Sequence, residues 1–539
     1  MAASSHDKGR IWLLPFSILA GVALSVFVLT HLVDASGSAD PWRVLDLIIH
    51  PNPQAAASTL ANAGEIVAAV LAIALTVVAI IVELASNRYT HRVTELFVSE
   101  PVNFAVMGLF VVTALQGVWV TMTFDYTPGA GGFVPYAGIG VSMGLLTLCL
   151  LVLIPYFNFV FAYLNPIRIV ERISSHTLGG IAGQGRGDAA ASQREAVRGV
   201  EQLADVALNA MQNRDKGVSM AAVDALADLM RDYQQGVGGL PDAWFRVEGE
   251  LAHNPDFVSM DPAILAQIGE RRIWFEMKIL RQYQMVYGEA LNRMRDINYL
   301  IAINTRLLAE DAAAERRREQ LHLLMKFFNT YLRAAINAKD VRTLYNVCHQ
   351  YRMLAQALVE HRDGAYAVEI ARYFKYYGLL AYNAHLPFIL ETVAYDLCTL
   401  CEYAHGKRKE VLDELLKILL AVDRTSEGSV QEASLRGVRK AQVKLATYFL
   451  AADDEGLART IHEDMAGEDP QRMASIRDEL FSIKSPEYWE VIDRGANFDY
   501  LEPERRATLQ RFFGWFPELP TAQATLVSHI PAAPGEEAG

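Results

Sequence analysis

Three residues at helical spacing carry the most specific chemical pattern in the chain. Cys398, Cys401 and His405 form a Cys-x-x-Cys-x-x-x-His arrangement, and thiolate and imidazole are ligands that zinc prefers. The spacing places all three on one face of a helix. A structural zinc site needs a fourth ligand, however, and a Cys-x-x-Cys pair that binds zinc normally lies in a turn. The favoured interpretation is a stripe of buried thiols, and we expect neither a metal nor a cofactor.

A glycine-rich stretch offers a second chemical possibility. Gly183, Gly185 and Gly187 alternate with other residues, as glycines do in some phosphate-binding loops. No apolar strand precedes them and no Gly-Lys-Ser/Thr follows, so we predict a flexible linker over 177–191. The sequence contains no HExxH metalloprotease motif, and no other cluster of catalytic residue types stands out. We therefore expect that the protein is not an enzyme.

Polar residues cluster at the end of a long apolar run that begins at Ile66. The cluster consists of Glu83, Arg88, His91 and Arg92. These groups could line or gate a pathway through the membrane at its inner mouth. Alternatively, they lie at the membrane interface and reach into water. The second interpretation is favoured, because no charged residue lies near the middle of an apolar run.

An aromatic segment near the C-terminus is the most distinctive part of the polar half. Its candidate docking residues are Tyr488, Trp489, Asp493, Arg494 and Asn497. Aromatic and arginine side chains in one place are typical of a protein-binding surface. The alternative is an aromatic cap that closes the end of a stack of helices, because such ends must be covered. We favour the cap and keep the docking surface as a hypothesis.

Hydropathy shows what must position these residues. Four apolar runs are long enough to cross a bilayer, at about 11–30, 66–84, 104–122 and 137–164. Residues 34–64 are expected to form a loop. The basic residues beside the spans lie on one side, with Arg43 as the exception, so this side is cytoplasmic. We predict a multi-pass inner-membrane protein with both termini in the cytoplasm.

The tip of the hairpin between the second and third spans resembles a known family. It carries a Leu-Ala-Ser, aromatic, Ser/Thr, Arg pattern, formed here by Leu84, Ala85, Ser86, Tyr89, Thr90 and Arg92. The pattern is similar to that of the bacterial predicted membrane proteins catalogued as domain of unknown function 2254. Glu83 and His91 depart from it, where the family has Gln and Pro. Residues 213–229 are similar to a second family segment but lack its proline.

This resemblance covers the N-terminal half of the chain. It implies a bacterial inner-membrane location. The family carries no established activity, so the resemblance implies no substrate and no reaction.

Helical patterns dominate the chain after the last span. Ser192 and Glu195 form a capping box that opens a helix, and helices follow from Pro262 to about Trp515. Predicted helical stretches lie near 313–338, 340–362, 364–383, 386–405, 407–423, 428–452, 454–466 and 469–482. Taken in pairs, they form units of roughly 40–47 residues, a length typical of helical repeats.

The predicted fold class is therefore all-α, with a four-helix transmembrane domain and an irregular cytoplasmic solenoid. The predicted domains are a membrane domain (1–164), a stalk and linker (165–191), a helical domain (192–516) and a disordered tail (517–539).

Charge and cysteine content exclude several functions. The chain carries a net charge of −13, and residues after 164 include 44 basic and 53 acidic side chains. Such a surface does not suit the phosphate backbone of nucleic acids. The four cysteines do not form a disulfide framework, which agrees with a reducing compartment.

Two functions from different classes remain. The first is a membrane-anchored interaction or regulatory protein, whose helical repeats bind a cytoplasmic protein partner. The second is an oligomeric ion channel or transport regulator that the cytoplasmic domain gates. The expected partners are the lipid bilayer, a cytoplasmic protein and further copies of the chain.

Overall fold

The structure is a computed structural model with two compact units, Met1–Ile173 and Ser174–Gly539. It describes residues 53–88, 94, 97–98, 100–123, 136–182, 189–360, 364–423, 432–487, 493–495, 497–517 and 519–520. None of these residues forms a β-strand, so the predicted all-α class is confirmed for this part of the chain.

The first unit contains three long helices within the described residues: α1 (Pro53–Arg88), α2 (Pro101–Met122) and α3 (Tyr136–Tyr163). Each contains a stretch that is long and apolar enough to cross a membrane. These helices match the second, third and fourth predicted spans. The first predicted span, 11–30, lies outside the described residues. The predicted loop over 34–64 is wrong from Pro53 onwards, because α1 begins there.

The three helices pack on one another and leave apolar faces open. Each of them contacts the other two. Val78, Phe110 and Val160 are buried between them, whereas Ile73 and Trp119 are 67% and 62% exposed. In a bilayer, such exposed apolar side chains face lipid.

A fourth helix, α4 (Pro166–Ala182), crosses the division between the units. Pro166 occupies its first turn, and the side chain of Asn165 accepts a hydrogen bond from the Ile167 amide (3.0 Å). The next helix begins at Ala189. The stretch predicted as a flexible linker, 177–191, is therefore helical at both ends.

The second unit contains sixteen further α-helices within the described residues, besides a short 3-10 helix over Val237–Gly239. They are α5 (Ala189–Gln212), α6 (Lys216–Gly236), α7 (Asp242–Phe245), α8 (Gly249–Ala252), α9 (Pro262–Glu270), α10 (Trp274–Arg293), α11 (Arg295–Ala314), α12 (Arg318–Asn337), α13 (Val341–Glu360), α14 (Gly364–Asn383), α15 (Pro387–Ala404), α16 (Lys409–Leu420), α17 (Glu432–Ala451), α18 (Glu455–Asp464), α19 (Pro470–Ser482) and α20 (Pro503–Phe513). Helices α10 and α11 separate at Met294.

The long helices of this unit alternate between two layers. In one layer, α6, α11, α13, α15 and α17 lie side by side, and α20 contacts α17 at the end. In the other layer, α5, α10, α12, α14 and α16 contact one another in the same order. Helix pairs that stack only on their neighbours form a repeat-like architecture.

A recurring turn connects several of these helices. Arg214, Lys339 and Asp453 all have positive φ angles, between 53° and 60°. Each is followed by an aspartate whose side chain accepts a hydrogen bond from the third amide of the next helix: Val218 to Asp215, Thr343 to Asp340 and Leu457 to Asp454. A left-handed residue ends one helix and the aspartate caps the next. The turn thus repeats although the helices do not share a sequence.

Candidate functional site

The strap and the face beneath it

The second unit holds a non-helical segment of its own chain. We call this segment, described at residues 493–495 and 497–501, the strap; it lies between α19 and α20, and none of its described residues is helical. We call the side of α13, α15 and α17 that contacts them the strap face. The strap is attached at two places, which we describe in turn as the arginine anchor and the aromatic anchor.

The arginine anchor is a buried charge cluster. The Arg494 guanidinium donates to both carboxylate oxygens of Asp396 on α15, at 2.8 and 3.2 Å. It also donates to the Tyr345 carbonyl on α13 and lies 4.0 Å above the ring of that tyrosine. Arg352 of α13 approaches Asp396 from the other side, at 3.1 Å. The side chains of Arg494 and Asp396 are 6% and 2% exposed, so this contact is shielded from solvent.

The neighbouring strap residue makes an exposed contact. Asp493 accepts two hydrogen bonds from Arg342, at 2.9 and 3.2 Å, and one from Asn346, at 2.9 Å. These hydrogen bonds hold the pKa of Asp493 below its ordinary value. Because Arg342 and Asp493 are both partly exposed, solvent screens their attraction. The buried pair formed by Arg494 therefore dominates this end.

The aromatic anchor begins with Phe498. Its ring stacks on Tyr395 of α15, with a centroid distance of 4.9 Å and an interplanar angle of 14°, and lies 5.9 Å from Tyr345. The Tyr395 hydroxyl donates to the carboxylate of Asp499. Lys444 of α17 donates to the carbonyls of Phe498 and Tyr500, at 2.5 and 2.8 Å.

A lysine surrounded by carboxylates completes the aromatic anchor. Lys440 of α17 lies 2.9 Å from Asp499, 3.1 Å from Glu391 and 3.2 Å from Glu479. Burial opposes its charge, but the three carboxylates outweigh burial and raise its pKa. The lysine therefore stays charged and joins the strap to α15 and α19.

Titratable side chains beside the arginine anchor do not provide a nucleophile. Burial, together with Arg494 and Arg352, lowers the pKa of His349 to about 4, so the imidazole is neutral. Burial raises the pKa of Cys348 to about 12, so its thiol keeps its proton. A protonated thiol is a poor nucleophile.

Where the predicted site residues lie

The structure gives the predicted docking residues different environments. Asp493, Arg494 and Asn497 belong to the strap, whereas Tyr488 and Trp489 lie outside the described residues. Arg494 is buried against the helices instead of facing a partner. Asn497 accepts a hydrogen bond from the Asp499 amide at 3.0 Å and so shapes the strap itself. The strap crosses the sides of three helices, whereas the predicted cap would cover the end of the stack.

The predicted cluster at the inner mouth is described only in part. Glu83 is exposed on α1. Arg88 is the last residue of α1, and the structure describes its backbone alone. His91 and Arg92 lie outside the described residues. The predicted cluster therefore stays a prediction.

The predicted metal ligands point to separate partners. The Cys398 thiol donates to the Ala441 carbonyl at 3.0 Å, and Cys401 is fully buried. His405 lies 3.5 Å from Asp454, on the side of α18. Within the described residues, no group of three or more His, Cys, Asp and Glu side chains could hold a metal ion. The geometry matches a stripe of buried thiols.

The third apolar helix contains a sequence pattern that some catalytic sites share. Gly140, Ser142 and Gly144 form a Gly-x-Ser-x-Gly arrangement, as in the nucleophile elbow of many hydrolases. The elbow requires a sharp turn between a strand and a helix. Here the three residues lie within α3, so the pattern does not form an elbow.

Similar proteins

Comparison with known proteins identifies the first part of the chain. Residues 8–198 match the family model described as predicted membrane protein (DUF2254). The resemblance that the hairpin pattern indicates is therefore confirmed for the N-terminal part. Together with the three apolar helices, this match supports a membrane location.

A solved structure is similar to a larger part of the chain. It is described as a circular tandem repeat protein with novel repeat topology and enhanced subunit contact surfaces. It shares 17% sequence identity, over 64% of this chain and 82% of its own, with a TM-score of 0.29. No curated protein matches the chain.

Proposed function

We propose that this protein is a multi-pass inner-membrane protein that presents its helical unit in the cytoplasm as a protein-interaction module. The apolar helices α1, α2 and α3 anchor it. The basic residues beside the predicted spans favour an arrangement in which the helical unit faces the cytoplasm. In this proposal the protein performs no catalysis of its own.

The observation that carries this proposal is the non-helical strap held across α13, α15 and α17. Helices stacked side by side provide a surface several helices wide, and solenoid proteins use such surfaces to bind other proteins. Here the surface holds a peptide through Asp396, Lys440 and Lys444 and through the ring of Tyr395. This combination of buried charge and aromatic stacking is typical of protein recognition.

The proposal predicts that partners bind on the layer that contains the strap face. Phe388 of α15 is 45% exposed and its ring lies 5.8 Å from Tyr345, which belongs to that face. Tyr376 of α14 is 51% exposed but belongs to the other layer, so it is a matched control. A photo-crosslinking amino acid placed at either position in the full chain, in cells, distinguishes the two layers.

We expect a discrete crosslinked protein from position 388 and not from position 376. Its identity is established by mass spectrometry, and tagging the partner should recover this chain in return. Equal crosslinking from both positions, or none from position 388, would contradict the proposed function.

A further inference from the structure

We infer that the strap face is a binding site for a peptide of another protein, and that the strap is an internal occupant which this peptide replaces. The inference rests on the proposed function and adds the chemistry of the partner and its regulation. It follows from the pattern of contacts on the strap face, from the partners that remain when the strap leaves, and from the connection of the strap to the chain.

The contacts define what the face recognises. Asp396 takes an arginine, with the ring of Tyr345 beneath its guanidinium. Tyr395 stacks on an aromatic ring four residues after the arginine of the peptide. Lys440 forms an ion pair with the acidic residue that follows the aromatic residue. The matching peptide therefore has the pattern Arg-x-x-x-aromatic-acidic in the conformation of the strap, which turns at Asp493–Arg494 and at Phe498–Asp499. A peptide with this pattern satisfies the same charges and fills the same aromatic position.

Two buried charges of the face, Asp396 and Lys440, keep partners when the strap leaves. Asp396 retains Arg352 at 3.1 Å. Lys440 retains Glu391 and Glu479, at 3.1 and 3.2 Å. Removal of one partner from a buried ion pair is severe when the remaining charge has no other partner. Asp396 and Lys440 each keep a second partner of opposite charge. Exchange of the strap for another peptide therefore avoids the free-energy cost of an unpaired buried charge.

Lys444 distinguishes an occupied face from an empty one. Its ammonium group donates hydrogen bonds to two main-chain carbonyls of the strap, those of Phe498 and Tyr500. Burial lowers its pKa although the Glu402 and Asp499 carboxylates favour its charge, so acceptors from an occupant stabilise the ammonium. Main-chain carbonyls are present in every peptide. Lys444 therefore requires that the face be occupied but does not restrict the sequence of the occupant.

The covalent connection makes the strap a strong competitor. The chain joins it to α19 on one side and to α20 on the other. A short connection of this kind gives the strap an effective concentration on the order of millimolar at the face. A free peptide with equal contacts displaces it only at similar concentration, or when additional contacts outside the strap face assist. Any change that weakens an anchor lowers this barrier. The strap thus sets the threshold for partner binding.

The test uses the full chain in lipid nanodiscs and a strap weakened by Arg494→Ala and Phe498→Ala together. The probe is a fluorescein-labelled peptide with the sequence of residues 493–501, and fluorescence anisotropy measures binding. We expect this peptide to bind the double variant at least about tenfold more tightly than the wild type, in which the strap competes. A peptide with alanine in place of the arginine and the phenylalanine is the matched control and should bind neither protein.

Two further substitutions locate the binding. In the double variant, Asp396→Asn should abolish binding of the peptide, because it removes the acceptor for the arginine. Tyr376→Ala, at an exposed position of the other layer, should leave binding unchanged. No binding to a double variant with wild-type circular dichroism and elution volume would overturn the inference. A dimer that exchanges straps and dissociates on Arg494→Ala would also overturn it, because the occupant would then be a second copy.

Hydrogen exchange of the wild-type chain decides the matter if the double variant does not fold. Exchange of the strap amides that is faster than exchange in α15 supports the inference, and exchange only through global unfolding overturns it. Failure here is distinguishable from failure of the proposed function. A partner crosslinked from position 388, together with a strap that never exchanges, would leave the interaction module intact and remove only the replaceable strap.

Discussion

Arg494 and Asp396 form a two-point ion pair between side chains that are 98 positions apart in the sequence, with nitrogen–oxygen distances of 2.8 and 3.2 Å. Arg352 shares the same carboxylate. Two cations therefore depend on one anion in a place shielded from water, and the three residues are not equally replaceable.

The first prediction concerns this inequality. Asp396→Asn leaves Arg352 and Arg494 buried without a carboxylate and should cost about 3–5 kcal/mol of unfolding free energy. Arg494→Gln leaves Asp396 with Arg352 and should cost only about 1–3 kcal/mol. Chemical unfolding of the full chain, followed by circular dichroism, measures both. An Arg494→Gln variant at least as unstable as Asp396→Asn would contradict this account of the cluster.

The second prediction concerns a buried acid on α10. Burial raises the pKa of Glu276 to about 7, and Gln234 donates to its carboxylate. Because the folded chain holds this proton more tightly than the unfolded chain, stability should fall as pH rises from the ordinary carboxyl pKa to about 7. Glu276→Gln removes that loss.

Thermal or chemical unfolding at pH 5 and pH 8 tests this predicted pH dependence of stability. The advantage of Glu276→Gln over the wild type should be larger at pH 8, by about 1–3 kcal/mol. The exposed Glu410→Gln of α16 is the control and should show no such difference. An advantage that does not change with pH would exclude the titration of Glu276 as its cause.

The third prediction concerns the buried thiols of α15. Burial raises the pKa of both Cys398 and Cys401, so neither should react with a maleimide while the helical unit is folded. Mass spectrometry should detect labelling of both after addition of denaturant. A chelator should leave the unfolding temperature unchanged. Labelling of the folded chain would contradict the burial of the thiols, and a large loss of stability with chelator would revive the metal site.

The fourth prediction concerns the membrane unit. The Asn103 amide donates to the Phe97 carbonyl at 2.5 Å, and its oxygen accepts from the Tyr156 hydroxyl at 3.1 Å. Asn103→Ala breaks both bonds and should destabilise helix packing by about 0.5–2 kcal/mol. Tyr156→Phe breaks one and should cost less. Unfolding in mixed detergent micelles measures both, and equal effects would mean that the Phe97 contact contributes nothing.

The fifth prediction concerns topology. A fluorescent protein fused after Gly539 should fluoresce, because the proposed orientation places the C-terminus in the cytoplasm. Alkaline phosphatase fused after Thr123, which follows α2, should be active outside the cytoplasm. The reverse pattern would invert the proposed orientation of the whole membrane unit.

Local signals in the sequence predict most of the helices. The stretches predicted at 340–362 and 364–383 are α13 and α14, with bounds Val341–Glu360 and Gly364–Asn383. Aspartate caps, glycine and apolar periodicity act within a few residues, and they are visible in a single sequence. Hydropathy locates α2 and α3 for the same reason.

The strap could not be predicted in this way. Asp493 and Arg342 are 151 positions apart, and no periodicity connects them. Each looks like an ordinary charged surface residue in its own segment, and only the stacking of α13, α15 and α17 brings them together. The sequence of the strap shows two adjacent charged residues, followed by an aromatic residue and an acidic residue. From neighbouring residues alone, Asp493 would be expected to pair with Arg494 and not with a distant helix.

The position of the strap in the sequence has a consequence during synthesis. Lys444, the last contact residue of α17, is translated 49 residues before Asp493. At about 5–20 residues per second, the ribosome needs about 2–10 s to cover that distance. Every nascent chain therefore completes the strap face before it possesses the segment that fills it. A partner that meets the chain during translation encounters no competitor, so the timing of synthesis selects the first occupant.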